Sequence, residues 1–256
     1  MPLLLCLMLL GQTTQPATTA AAGPLTSGDP KVDAILERLE TKGRTVADLI
    51  CNVTYEDYNV IDESRRKKTG QIIFKRQPPS FAFLIRFDKM NFDGVIKTSK
   101  EWYGFDGTWF TEARASTRQV IKRQVVREGE QIDPFSLSKG PFRLPFGQEK
   151  DEILRNFDVS LAAPAQGDPP NTDHLVCVPK PAGAMGDEYQ KLEFWIDRKA
   201  ELPVKMVAHR KDETVVTTTF SRLSINSSPP GSLLKIKVPG DWAVTVERLP
   251  PAPPTP

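Results

Sequence analysis

GQIIFKRQPPSFAFLIRF, residues 70–87, decides how this chain is read. Side chains alternate along a strand, so Ile72, Phe74 and Arg76 share one side of its first half. A guanidinium thus stands in line with two apolar residues. Beyond the break at Pro78-Pro79, Phe81, Phe83, Ile85 and Phe87 fall on one side, with Ala82 and Leu84 on the other. An antiparallel strand with one packed face alternates apolar with polar; this one is apolar on both. The same two-sidedness recurs at 102–110, 192–196 and 202–207.

The flanking sequence sets how such strands are covered. GDPKVDAILERLETKG (28–43) predicts an amphipathic helix, with Asp29 as N-cap, Pro30 in the first turn and Gly43 at the end. Val32, Ile35, Leu36 and Leu39 form its buried stripe. Leu49, Cys51, Val53 and Tyr55 alternate as a strand running into a charged turn near 62–68. EWYGFDGTWFTEA places Asp106-Gly107 between aromatic arms that carry Trp102 and Trp109, a hairpin signal. Residues 116–126 read as a long strand, and DPFSLSKGPFRLPFG (133–147) as a loop longer than most connections in a compact domain. QEKDEILRNFDV predicts a second helix with Ile153, Leu154 and Phe157 as its stripe. From Leu175 the chain is a meander: HLVCVPK, YQKLEFWID, LPVKMVAHR, ETVVTTTFSRLSI and LLKIKV, with WAVTVERL as a last edge strand. Ten or eleven antiparallel strands and two helices give an α+β domain that is mainly β.

Two helices do not cover both faces of ten strands. A strongly curved sheet resolves this, because its concave side forms a trough with the helices across the opening. The trough is filled either by its own side chains, as in small barrels, or by an apolar ligand. Arg76 bears on that choice, since an unpaired buried guanidinium costs several kcal/mol. Helix or loop carbonyls at the trough's mouth would satisfy it while its stem packs on apolar walls. The plain alternative is a last strand residue curling into solvent.

The chain has 256 residues, 39% of them hydrophobic, and a net charge of +2, which fits one well-buried domain and gives no case for nucleic acid or anionic membrane as main partner. The densest basic run, Arg65-Arg66-Lys67-Lys68, reads as a solvated hairpin tip, with a phosphate or lipid-headgroup site as the alternative. Leu3 to Leu10 is unbroken apolar sequence, and Ala20-Ala21-Ala22 precedes Gly23. The pattern is that of a signal peptide over 1–22, although only the terminal amine is positive ahead of Lys31. The apolar stretch is far shorter than the roughly 20 residues that span a bilayer. Residues 250–256 are a polyproline-like tail. Export leaves Cys51 and Cys177 either bridged, worth ~4 kcal/mol in the chain-entropy model, or as two buried free thiols. Neither has the CxxC or His-rich context of a metal site.

Catalytic patterns are sparse. His174 and His209 lie on strands and read as surface or edge residues. No Gly-x-Ser-x-Gly, phosphate loop or HExxH is present. Ser136 and Lys139 fit Ser-x-x-Lys, but in a loop between prolines rather than at a helix start. Asp187-Glu188 reads as a solvated turn.

The order of the amphipathic helix, GQIIFKRQP, FDGTWF and LVCVPK…YQKLEFWID…LPVKMVAHR…VVTTTFSRLSIN resembles the periplasmic lipoprotein carriers, the LolA-like family, from about Asp29 to Val246. The resemblance implies one domain over 23–249: an unclosed, strongly curved antiparallel half β-barrel with helices as a lid over a hydrophobic cavity. It implies a non-enzymatic, monomeric periplasmic protein without cofactors. Such a protein takes acyl chains of lipoproteins, or lipids, from an inner-membrane release complex toward an outer-membrane acceptor. Lys75-Arg76 followed by Pro78 is similar to the family's Lys-Arg-Pro, whose arginine hydrogen-bonds the lid, although Gln77 is inserted here. Phe81 sits where the family has an aromatic near the cavity mouth. The expected cavity and lid-contact residues are Ile72, Phe74, Arg76, Phe81, Phe83, Ile85, Trp102, Trp109, Phe194 and Met206. Ile35, Leu36, Leu39, Ile153, Leu154 and Phe157 form the expected lid. Related folds act as lipid-sensing regulators, which supplies a second reading, a regulatory or scaffold module; a Ser136/Lys139 hydrolase is the third.

Overall fold

The computed structural model describes residues 24–250 except 79, 128, 129, 131–147, 182 and 184. The signal-peptide segment and the Ser136/Lys139 pair therefore lie outside the described residues. The chain divides into two compact units. Of the described residues, a helical unit holds 24–45 and 148–212, and an aromatic unit holds 46–130 and 213–250.

The helical unit begins with α1 (Pro30–Thr45). The Asp29 carboxylate accepts the Lys31 N–H at 2.8 Å, the cap expected from sequence. Val32, Ile35, Leu36 and Leu39 are buried, again as the spacing requires. Gly43 does not end the helix. It is a buried residue on the Leu36–Leu39 stripe, and α1 continues to Thr45, whose hydroxyl bonds the Lys42 carbonyl. Before the helical unit resumes, the chain passes through β1 (Asp48–Asn59), β2 (Arg65–Gln77), β3 (Ser80–Phe92), β4 (Val95–Phe105), β5 (Trp109–Arg114) and β6 (Gln119–Gln124). It then gives α2 (Lys150–Asn156), β7 (Phe157–Leu161), β8 (Thr172–Pro179), β9 (Tyr189–Asp197) and β10 (Pro203–Arg210). β11 (Thr214–Ile225), a 3-10 turn (Gly231–Leu234) and β12 (Ala243–Glu247) close the aromatic unit.

Strands run in the order β10-β9-β8-β7 in the helical unit and β12-β6-β5-β4-β3-β2-β1-β11 in the aromatic one. The fold class is the expected one, α+β and mainly β with an unclosed sheet, but with twelve strands among the described residues. Several boundaries differ from the sequence reading. Phe157 is not on the second helix: it opens β7, a strand the reading passed over, because its alternation is only five residues long. LLKIKV is not a strand; its first residues close the 3-10 turn and Ile236 packs on β4 near Gly104. β12 is an edge strand, but it pairs with β6 in parallel. The long strand expected over 116–126 is the shorter β6. The basic run at 65–68 is not a tip but the start of β2.

Three register shifts, between Ile50 and Asn52, Thr69 and Gly70, and Phe87 and Lys89, bend the central strands of the aromatic unit. At the second, a Cβ on Gly70 would stand 1.8 Å from the Arg86 carbonyl oxygen, so only glycine fits there.

Candidate functional site

Register places the expected residues on faces. Leu49, Phe74, Phe83, Phe105 and Phe110 form one cross-strand row from β1 to β5. Cys51, Ile72, Ile85 and Tyr103 form the next, and Arg76 pairs with Phe81 at the row's other side. The rings of Phe74, Phe81, Phe83 and Phe105 pack together, Phe81 and Phe105 with centroids 4.8 Å apart. Six of the ten expected cavity residues, Ile72, Phe74, Arg76, Phe81, Phe83 and Ile85, therefore share this aromatic face.

Trp102 and Trp109 do not. They alternate with Tyr103 and Phe110 and lie on the reverse face, where Trp102 meets Trp242 edge-on at 6.1 Å and the Arg248 guanidinium stands over Trp109. Ala82, Leu84 and Gly104 belong to that reverse face, and Ile236 packs on it against Leu84's neighbour Gly104. The second apolar side of β3 is thus covered by the chain's own C-terminal segment, and it needs no ligand. Phe194 and Met206 are neighbours on β9 and β10 of the helical unit, beside Leu175.

Arg76 is held within its own unit. Its backbone N–H donates to the Ala47 carbonyl at 2.7 Å, and its Nε donates to the Val46 carbonyl at 3.4 Å. Val46 is the first residue after α1, so the guanidinium engages a loop carbonyl as expected, rather than curling into solvent. The same short stretch is gripped by the residues that follow β11. Asn226 Oδ1 accepts the Ala47 N–H at 2.7 Å, and the buried Asp48 carboxylate accepts the Ser227 and Ser228 N–H groups.

The other end of the aromatic face is charged, which the sequence reading missed. Lys68, read as part of a solvated tip, is 3% exposed and its Nζ lies 2.6 Å from Glu101 Oε2. The Tyr103 hydroxyl donates to the same oxygen at 2.9 Å. An ion pair between Arg114 and Glu112 lies alongside, and Arg66 reaches Asp57 at 3.6 Å. Burial pulls the Lys68 ammonium below its ordinary value against the pull of Glu101, and burial with the nearby Glu101 charge pushes the Tyr103 phenol up. Strand alternation carried the signal: Arg65 and Lys67 point to the exposed side, and Arg66 and Lys68 point inward with Ile72 and Phe74.

In the helical unit, α1 and α2 are stapled by Lys150, whose Nζ reaches Glu37 at 2.8 Å and whose backbone N–H donates to Glu40. Ile153 and Leu154 are buried as expected. An open groove of about 590 Å³ runs along α1, with Ala34, Ile35 and Leu161 among its walls. Arg38 and Arg198 both hold Asp173 there, at 3.1 and 2.8 Å. Of the expected lid and cavity residues, it contains Ile35. On β8–β10 both histidines meet one carboxylate: His174 and His209 each place Nε2 2.9 Å from Glu193. They are half-buried partners in a strand network rather than edge residues. Cys51 and Cys177 are buried free thiols in different units, each pushed up to about 12 by burial, so the bridged reading is not the one the structure holds. No described helix is long and apolar enough to cross a membrane.

No family model matches the sequence, and no curated protein is similar to it. Among solved structures, the chain is similar to an uncharacterized conserved protein from Thermus thermophilus, with 13% identity, TM-score 0.49, and 85% of this chain covering 99% of that one. It is similar to MucB, which is also solved in the Pseudomonas aeruginosa MucA/MucB complex, with 15% identity, TM-score 0.47, and 85% of this chain spanning 66% of MucB. A LolA superfamily protein from Nitrosomonas europaea gives 10% identity, TM-score 0.35, and 80% of this chain against 97% of that one. The likeness is one of fold.

Proposed function

We propose that the chain is a non-enzymatic carrier of acyl chains, on lipoproteins or lipids, held against the aromatic face. The observation that carries this reading is the division of labour across β3. The reverse face of Ala82 and Leu84 is packed by the C-terminal segment, whereas the aromatic face gathers Phe74, Phe81, Phe83 and Phe105 in one buried cluster, whose rings have to part to admit a guest. Each buried CH₂ contributes about 0.8 kcal/mol, so a sixteen-carbon chain carries on the order of 10 kcal/mol that a soluble protein has to match with apolar wall. Non-directional ring contacts suit chains of differing length. Arg76 is the latch in this reading: it grips Val46, through which α1 is tethered to β1. The groove along α1 is a poorer acyl site, since Arg38, Asp173 and Arg198 keep it polar. In this reading the signal-peptide pattern over 1–22 sends the carrier to the periplasm, where it works between an inner-membrane release complex and an outer-membrane acceptor.

The test is mass spectrometry of lipid extracted from the protein recovered from its native cells, with displacement of a fluorescent fatty acid as a second readout. Acyl species in the extract and saturable displacement support the carrier. A protein that carries no acyl chain and binds no probe sinks it, and one constant protein partner without lipid would favour the regulatory module instead.

A further inference from the structure

We propose that β12 is a docking edge for a second copy of this chain, which pairs with it antiparallel about a two-fold axis through Thr245. This departs from the monomer that the family resemblance implies, and it rests on the edge strand, independently of any acyl chain held elsewhere. β12 ends the strand order of the aromatic unit, with β6 on one side and no strand among the described residues on the other. Ala243, Val244, Thr245, Val246 and Glu247 are all exposed, Val244 by 59% and Val246 by 51%. The Ala243 N–H donates to the Arg118 carbonyl at 3.0 Å, which fixes the parity of the parallel ladder. Ala243, Thr245 and Glu247 turn their backbone groups to β6, so Val244 and Val246 point theirs out from the sheet.

An open edge of this kind is normally guarded by a lysine, a proline or a bulge. β12 carries none of these: its one charge, Glu247, is held by Arg123 at 2.7 Å, and its centre is the β-branched run Val244-Thr245-Val246. That run reads the same in both directions, and this selects the occupant. With the axis through Thr245, Val244 of each copy lies opposite Val246 of the other and exchanges both backbone bonds with it. The valines then meet on one face, and on the other Thr245 meets its own counterpart, with Ala243 opposite Glu247. An axis through Val244 would instead oppose Val246 to Trp242, whose N–H is spent on the Pro239 carbonyl at 3.4 Å. One through Val246 would oppose Val244 to Arg248, beyond the end of the strand. The match through Thr245 sets no like charges face to face. Two five-residue strands make a small interface, the same patch on both copies, so the dimer is weak and concentration-dependent.

The experiment is sedimentation velocity of the purified full chain over a concentration series, with circular dichroism and the thermal midpoint confirming that each variant folds. Val246→Pro removes an outward N–H that β6 does not use. Thr245→Lys and Thr245→Glu each set like charges across the axis. Wild type is expected to pass from monomer to dimer as concentration rises, and each single variant to weaken that step roughly ten-fold or more. An equimolar mix of Thr245→Lys and Thr245→Glu is expected to regain the dimer, because unlike charges then face each other across the axis. The exposed Thr245 pair keeps the test intact if the proline variant fails to fold. Because Leu3 to Leu10 is present in every arm, the difference between arms reads β12. A wild type that stays monomeric throughout overturns the proposal, as it would if the edge served another protein's strand. So does a dimer that the single variants leave unchanged, or a mix of the two Thr245 variants that associates no better than either alone.

Discussion

At the scale of single residues, two cations define the aromatic face from opposite ends. Lys68 is the costlier. Its ammonium is buried beside Phe87 and neutralised by Glu101, which also accepts from Tyr103. Lys68→Met removes the cation and strands a buried carboxylate, with an expected loss of about 3 kcal/mol or more in urea unfolding. The triple variant Lys68→Met/Glu101→Leu/Tyr103→Phe removes the whole polar set and recovers most of that loss; if the single and triple variants unfold at the same midpoint, the pairing account is wrong. Arg76 is different, because its backbone bond to Ala47 survives side-chain replacement. Arg76→Leu is expected to speed release of a bound fatty-acid probe by up to roughly ten-fold, the worth of one charged hydrogen bond, with little change in the unfolding midpoint. Unchanged release from a folded variant removes the latch.

At the scale of elements, the bend at Gly70 holds β2 and β3 in a register that puts Lys68 and Phe74 on one face. Gly70→Ala sets a methyl group against the Arg86 carbonyl, which belongs to the sheet backbone and has nowhere to go. The expected cost is about 3 kcal/mol, read from chemical unfolding, and a near-neutral variant would show that the bend is not enforced there. The sequence made part of this legible. Alternation over 81–87 is long enough to assign Phe81, Phe83 and Ile85 to one face and to bring Arg76 into phase with them. The same alternation places Lys68 inward, but four consecutive basic residues suggested solvent, because a partner thirty-three positions away, Glu101, leaves no local trace. LLKIKV failed for a related reason: six alternating residues fit a strand as well as an extended segment lying on another strand's reverse face. Trp102 and Trp109 are expected beside the phenylalanines, but parity along β4 and β5 separates them.

At the scale of the whole molecule, each unit buries one free thiol, and this gives stability an alkaline limit. Cys51 and Cys177 rise from an ordinary 9.0 to about 12 through burial. Above pH 9.0 the unfolded chain surrenders these protons while the folded chain keeps them, so the folded state binds more protons and stability falls as pH rises toward about 12. Each unit of pH in that window costs about 1.4 kcal/mol per thiol. Tyr103, also raised, adds to the fall above its ordinary 10.0. Lys68 acts in the opposite sense: its folded value lies below 10.5, so rising pH through that interval relieves a buried charge and offsets some of the loss. The midpoint of urea unfolding should therefore decline steeply above 10.5, where Lys68 gives nothing more and the thiols and phenol act together. Cys51→Ala/Cys177→Ala should flatten that decline, and in the native wild type both thiols should resist a thiol reagent until the chain unfolds. A decline as steep in the double variant would move the alkaline limit elsewhere, and a reagent that labels either cysteine at the native rate of a surface thiol would contradict its burial.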